Sequence, residues 1–172
     1  IQHQFGTREA LLLEVLKESL GQLDDDLATA TVDGANLEER LRLVLELLEG
    51  HYGRPEHLVS IQILLDLSAD PGTSSSARRA IQEHGRSLTR IWEPYFVQAM
   101  GEAGHCAELA EYVFLTLRGY LTANLLVSRL QSVGHDPFVR DLLIKGVARA
   151  VTERAHELGL SVDPAGVRVQ AG

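Results

Sequence analysis

The sequence predicts an all-α protein, a helical bundle of about six helices. Three observations carry this reading. Apolar residues make up 45% of the 172-residue chain and recur at three- and four-residue intervals almost throughout. Gly, Pro, Asn and Asp residues punctuate the gaps between these periodic stretches. No useful length of sequence alternates apolar and polar residues as a half-buried strand would, and no segment repeats.

The first helix is expected over residues 7 to 30. Leu12, Val15, Leu16, Leu20, Leu23 and Leu27 keep a helical period, Thr7 can cap the free amides, and Val32-Asp33-Gly34 ends it. Asn36 and Glu39 have capping-box spacing and open the second helix, whose stripe is Leu37, Leu41, Val44, Leu45 and Leu48. Gly53 can stop it and Pro55 can start the third. The third helix, 55–69, is apolar nearly all round (Leu58, Val59, Ile61, Ile63, Leu64, Leu65, Leu67), which predicts burial on most sides.

After the loop "DPGTSSS", a long fourth helix spans 75–101, with a kink expected at Ile91 to Glu93 because Pro94 removes a backbone donor. Gly101 and Gly104 end it. A fifth helix, 107–131, is apolar on more than one face. Asp136-Pro137 opens a sixth, which stops before Gly159. Beyond it residues 161–172 lack any period and are expected to fray as a flexible tail.

Composition narrows the function. No apolar run approaches the ~20 residues of a membrane span, and no basic n-region precedes an apolar core as in a secretory signal. The single Cys106 rules out an intramolecular disulfide and a cysteine-built zinc site; it reads as a small apolar residue at a helix start. A cytoplasmic protein is the simplest expectation. Net charge is −8, so these residues should repel a phosphate backbone. Nearly all basic residues are Arg, with Lys only at Lys17 and Lys145, a bias that fits a GC-rich bacterial genome.

The opening "IQHQFGTREALL" carries the most specific signal. It resembles the joint that ends the helix-turn-helix of TetR-type transcriptional regulators. There the recognition helix closes on Leu/Ile-Tyr-Tyr-His-Phe and is followed by Gly/Pro-Ser-Lys-Glu-x-Leu-Leu. Ile1, Phe5, Gly6, Thr7, Arg8, Glu9, Leu11 and Leu12 match in kind and order, while Gln2, His3 and Gln4 replace Tyr, Tyr and His. The resemblance implies that residues 1–6 are the remnant of a recognition helix and turn. Residues 7–160 would then form a TetR-like C-terminal regulatory domain for ligand binding and dimerisation. Gln2, His3, Thr7 and Arg8 would be the DNA-binding remnant, Arg8 reaching a phosphate. The base-reading helices would precede Ile1.

The resemblance also implies a homodimer, in which the last two long helices form a four-helix bundle with their symmetry mates, as a palindromic operator requires. Leu121 and Leu125 on the fifth helix, and Phe138, Leu142, Val147 and Val151 on the sixth, are the expected interface. Gly119 with Ala123, and Gly146 with Ala150, would let helix axes approach closely. The interface should be mainly apolar and well over ~1,000 Å².

A small apolar or amphipathic effector is expected among helices two to five. The fourth helix concentrates His84, Leu88, Trp92, Tyr95 and Phe96 near Pro94; helices two and three would add Leu48, Tyr52, Ile61, Leu64 and Leu65; helix five would add Leu117, Tyr120 and Asn124. A filled core is the competing reading of the same stripes. His84 interrupts an apolar stripe and reads first as a hydrogen-bonded core or rim residue. Gln62 and Asp66 could anchor a polar group or mark a solvated edge. Arg118, if buried, needs a carboxylate such as Asp66.

No cofactor is expected. His51, His57 and His84 have no established ligand spacing for a metal, and no phosphate loop, nucleophile elbow or His-Glu metal helix appears, so the chain does not read as an enzyme. The expected function is a ligand-responsive DNA-binding transcriptional regulator, read as a repressor, although the sequence does not separate repressor from activator. Operator DNA, effector and a second copy are its partners, and no membrane is involved. The alternative is an all-α small-molecule-binding protein or a helical-bundle enzyme with no DNA role.

Overall fold

The computed structural model describes residues 7–131 and 136–164. Among the described residues six α-helices run in order: α1 (Arg8–Leu27), α2 (Leu37–Tyr52), α3 (Pro55–Ala69), α4 (Ser75–Met100), α5 (Ala107–Gln131) and α6 (Pro137–Leu158). A 3-10 turn, Gly101–His105, joins α4 to α5. There is no strand among the described residues, so the fold is all-α as the periodicity indicates. No helix there is long and apolar enough to cross a membrane. The chain divides into two units, one holding 7–29 and 54–91, the other the remaining described residues.

In the first unit, Thr7 caps α1 as expected: its hydroxyl accepts from the Ala10 amide at 3.2 Å. Leu16, Ile63 and Leu67 form a buried core flanked by Leu12, Leu13, Leu64 and Ile81. Helix α3 corrects the expectation of burial on most sides: Val59 is 55% and Leu65 59% exposed. Its buried stripe is His57, Ser60, Ile63 and Leu67. Two of those four positions are polar, so hydrophobicity did not mark the phase. Gly53 ends α2 in right-handed geometry (φ −77°), not in a left-handed cap. The break comes from Pro55, which holds Arg54 extended at φ −81°, ψ 145°.

Helix α1 is tied to the start of α4 by Glu9. Its carboxylate accepts from the Ser74 amide at 2.9 Å and the Ser74 hydroxyl at 2.7 Å, while that hydroxyl accepts from the Ala77 amide at 3.2 Å. The bonds from the Ser74 hydroxyl and then its amide hold the Glu9 carboxyl below the usual carboxylate value of 4.5. A lowered folded pKa gives stability that is present above the unfolded value and lost as pH falls through the folded one. Glu9→Gln is therefore expected to melt below wild type at neutral pH and to converge on it under acid. A Tm gap that stays constant from pH 7 to pH 3 would sink this assignment.

In the second unit, α2 buries Leu41, Val44, Leu45 and Leu48 completely. Asn36 accepts from the Glu39 amide at 2.9 Å, as its spacing suggests. The return bond differs from a capping box: Glu39 reaches the Ala35 amide at 2.9 Å and the Asn36 side-chain amide at 3.1 Å. Asp136 caps α6 through the Phe138 amide at 2.9 Å, with Pro137 in the first turn. Gly159, at φ 70°, closes α6 with the Leu160 amide bonded to the Ala155 carbonyl at 2.9 Å.

Helix α4 stays helical through Pro94, and the division between units falls between Ile91 and Trp92, in the turn that lacks the proline donor. After Gly159 the chain does not leave the unit at once. The Ser161 carbonyl accepts from the Ala103 amide at 3.0 Å, and the Ser161 amide donates to Glu102 at 3.0 Å. Gly101, at φ 57°, sits so close to the Asp163 backbone that any side chain would collide with it. Arg40, 7% exposed, binds this junction from α2. Its Nε donates to the Ala99 carbonyl at 2.7 Å, Nη1 to Gly34 at 3.1 Å and Nη2 to Val162 at 3.0 Å.

Candidate functional site

The residues expected to bind an effector divide between the two units. Ile61, Leu64, Leu65, His84 and Leu88 belong to the first, and Leu48, Tyr52, Trp92, Tyr95, Phe96, Leu117, Tyr120 and Asn124 to the second. In the first unit Leu64 joins the core and Leu65 faces solvent. His84 lines an open groove of about 350 Å³ between α1 and α4, floored by Leu13, Leu16, Leu20 and Ala80. Glu14, Lys17, Glu83 and Ser87 complete its walls. Gln62 and Asp66 mark the solvated edge of α3: Gln62 donates to Asp66 at 2.7 Å, and Arg8 pairs with Asp66 at 3.4 Å. Arg8, expected to reach a phosphate, is 74% exposed at its side chain. Gln2 and His3 lie outside the described residues.

The second unit gathers the aromatics. Trp92 is fully buried, and its ring centroid lies 6.0 Å from Tyr52, 5.9 Å from Tyr95, 6.3 Å from Phe96 and 6.2 Å from Phe114. Its indole N–H donates to the Tyr52 hydroxyl at 3.1 Å. Burial pushes the Tyr52 phenol up to about 12, against the smaller downward pull of that bond and of Arg118, so it stays neutral at ordinary pH. With Leu48, Tyr52, Trp92, Phe96 and Leu117 all buried, the centre of this cluster is packed core. Phe114 was not read from the sequence as a member, although it lies one helical turn from both Leu117 and Arg118.

Asp66, in the first unit, is engaged by Arg8 and Gln62, and Arg118 belongs to the second. Its guanidinium lies over the rings of Tyr52 and Phe114, 5.4 and 5.5 Å from their centroids. A delocalised cation on aromatic faces needs no carboxylate to be tolerated there. Two further polar atoms of α5, the Tyr120 hydroxyl and the Asn124 side-chain nitrogen, are buried without a hydrogen-bond partner.

The expected dimer residues also separate. Leu121, Val147 and Val151, at 2%, 2% and 0% exposure, pack into the core of their own unit. Leu125 is half-buried, while Phe138 and Leu142 are 68% and 53% exposed. The exposed apolar face of α5 is a different stripe: Tyr112, Leu115, Gly119, Ala123 and Leu126, at helical spacing. On α6 it is Phe138, Leu142 and Gly146. A Cβ built on Gly119 or Gly146 would meet nothing within 4 Å, so packing inside the chain does not require glycine at either place.

A second groove, about 580 Å³, lies beside the start of α2 and is walled by Glu38, Lys145, Arg149 and Glu153. Its cations are already paired, Lys145 with Asp141 at 2.6 Å and Arg149 with Glu153 at 2.7 Å. Among the described residues no three His, Cys, Asp or Glu side chains are grouped to hold a metal ion. Set against known proteins, the chain matches no family model, no curated protein and no solved structure.

Proposed function

We propose that this chain is the effector-binding and dimerisation part of a ligand-responsive transcriptional regulator of the TetR type, acting as a repressor. The observation that carries the reading is the pair of exposed apolar stripes on α5 and α6, each broken by a glycine that its own chain does not need. Glycine inside an exposed helix costs about 1 kcal/mol relative to alanine, and at these two places it would let another helix approach closely. An apolar face of this extent on the last two helices suits self-association into a two-fold dimer. The Phe5-Gly6-Thr7-Arg8-Glu9 joint, running into a helix capped by Thr7, adds support.

In this reading DNA contact falls to a basic helix-turn-helix N-terminal to Ile1, since a net charge of −8 disfavours contact of these residues with a phosphate backbone. An effector shifts the equilibrium only by its preference for one conformation. Helix α4 carries residues of both units, His84 in the first and Trp92 in the second.

Leu115→Glu or Leu142→Glu is expected to convert a dimer into a monomer in sedimentation equilibrium, with unchanged helical circular dichroism. In the complete protein the same variants should lose cooperative operator binding. A wild-type chain that is monomeric at tens of micromolar would sink the dimer. A gene with no basic helix-turn-helix immediately before Ile1 would sink the regulator reading and leave an all-α binding protein.

A further inference from the structure

We propose that Tyr120 and Asn124 form a recognition pair for an effector bearing a hydrogen-bond-accepting oxygen, a carboxylate or carbonyl at the end of an apolar body. This rests on the reading of the chain as an effector-binding domain. The Tyr120 hydroxyl and the Asn124 side-chain nitrogen are both buried and both lack a hydrogen-bond partner. Buried polar atoms are nearly always bonded, so two such atoms on one helix ask for an explanation. They are four residues apart on α5, which places them one turn apart on one side, their Cβ atoms about 5–6 Å from each other. Leu117 and Leu121, buried at 0% and 2%, share that side. Thr116, one turn before Tyr120, is a polar neighbour on that side, yet neither the Tyr120 hydroxyl nor the Asn124 nitrogen is bonded to it.

The chemistry of the two atoms selects the ligand. An amide nitrogen is a donor only, and a phenol can donate its proton. One oxygen with two lone pairs, or the two oxygens of a carboxylate, can accept from both. A ligand whose polar end is only a donor, such as an ammonium group, leaves the Asn124 nitrogen unbonded and adds a buried cation. An apolar ligand leaves both atoms as they are. The arrangement discriminates by what an unsuitable ligand fails to satisfy, the strongest kind of discrimination a buried site has.

A pair retained for a ligand lowers the stability of the free protein, whereas a pair retained for structure raises it. The test uses the whole chain and its Tyr120→Phe and Asn124→Leu variants, melted without ligand by circular dichroism. Each is then titrated with decanoate and with decylammonium, followed by fluorescence of Trp92, the only tryptophan. Both variants are expected to melt at or above wild type. Decanoate should bind wild type in preference to decylammonium, and its affinity should fall about 10-fold or more in each variant.

Melting several degrees below wild type in both variants would overturn the proposal and assign the pair to a buried structural water. Failure of decanoate to bind, equal binding of the two probes, or unchanged decanoate affinity in the variants would overturn it as well. None of these results bears on the dimer or on the sequence preceding Ile1, so the pair can fail while the regulator reading stands.

Discussion

Replacing Arg40 by methionine is expected to destabilise the chain by about 3–5 kcal/mol, the order expected when several buried acceptors lose a charged donor at once. Methionine keeps much of the apolar stem of the side chain, so the loss reports the guanidinium and not a cavity. Three carbonyls, those of Gly34, Ala99 and Val162, would lose their donor together. Ala99 lies in the last turn of α4, where carbonyls have no helical partner and the helix dipole is negative. Arg40 thus caps α4 from α2 while it holds both the loop before α2 and the segment after α6. Lysine keeps the charge but cannot address three directions with one ammonium, and Arg40→Lys should still cost about 2 kcal/mol. Urea unfolding followed by circular dichroism measures both. Hydrogen exchange should also show faster exchange of the Ala103 amide, which donates to Ser161 beside the released segment. An Arg40→Met variant that unfolds within about 1 kcal/mol of wild type would show that water replaces the guanidinium at little cost.

Arg40 also shows where the sequence stopped being informative. It lies on the same arc of α2 as Leu37, Leu41 and Val44, so its phase was visible, but a charged residue on an apolar arc reads by default as an edge. Its three acceptors are backbone carbonyls 6, 59 and 122 residues away, and carbonyls carry no sequence signature. Caps behaved the opposite way. Thr7, Asn36 and Asp136 act on amides two or three residues ahead, so their chemistry is local and legible.

Helix faces fell between these cases. On α5 the core frame of Leu109, Val113, Leu117 and Leu121 and the exposed frame of Leu115, Gly119, Ala123 and Leu126 are both apolar. Composition could place a helix there, but not say which frame turns inward. Leu121 was accordingly assigned outward and Leu115 went unnoticed. The same holds for Tyr120 and Asn124. Their identity was legible, but the absence of a partner is a property of the packed chain alone.

Trp92→Ala is the second large effect, expected at about 3–5 kcal/mol for removal of a fully buried aromatic side chain. Two contributions are mixed in that figure, and a second variant separates them. Alanine leaves a cavity facing Tyr52, Tyr95, Phe96 and Phe114, and it also removes the donor to the Tyr52 hydroxyl. Phenylalanine retains most of the aromatic contact and lacks only the second ring with its N–H. Trp92→Phe should therefore cost about 1–2 kcal/mol, one lost buried hydrogen bond plus a small void. The Tyr52 phenol, already pushed up to about 12 by burial, stays neutral in either variant and adds no charge to the balance at pH 7. Because the indole itself is lost, unfolding must be followed by circular dichroism. A wide gap between the two variants makes packing volume the main term. If Trp92→Phe costs as much as Trp92→Ala, the hydrogen bond to Tyr52 is what holds the cluster. If neither costs more than about 1 kcal/mol, the cluster repacks freely and is no rigid core, unlike well-packed interiors.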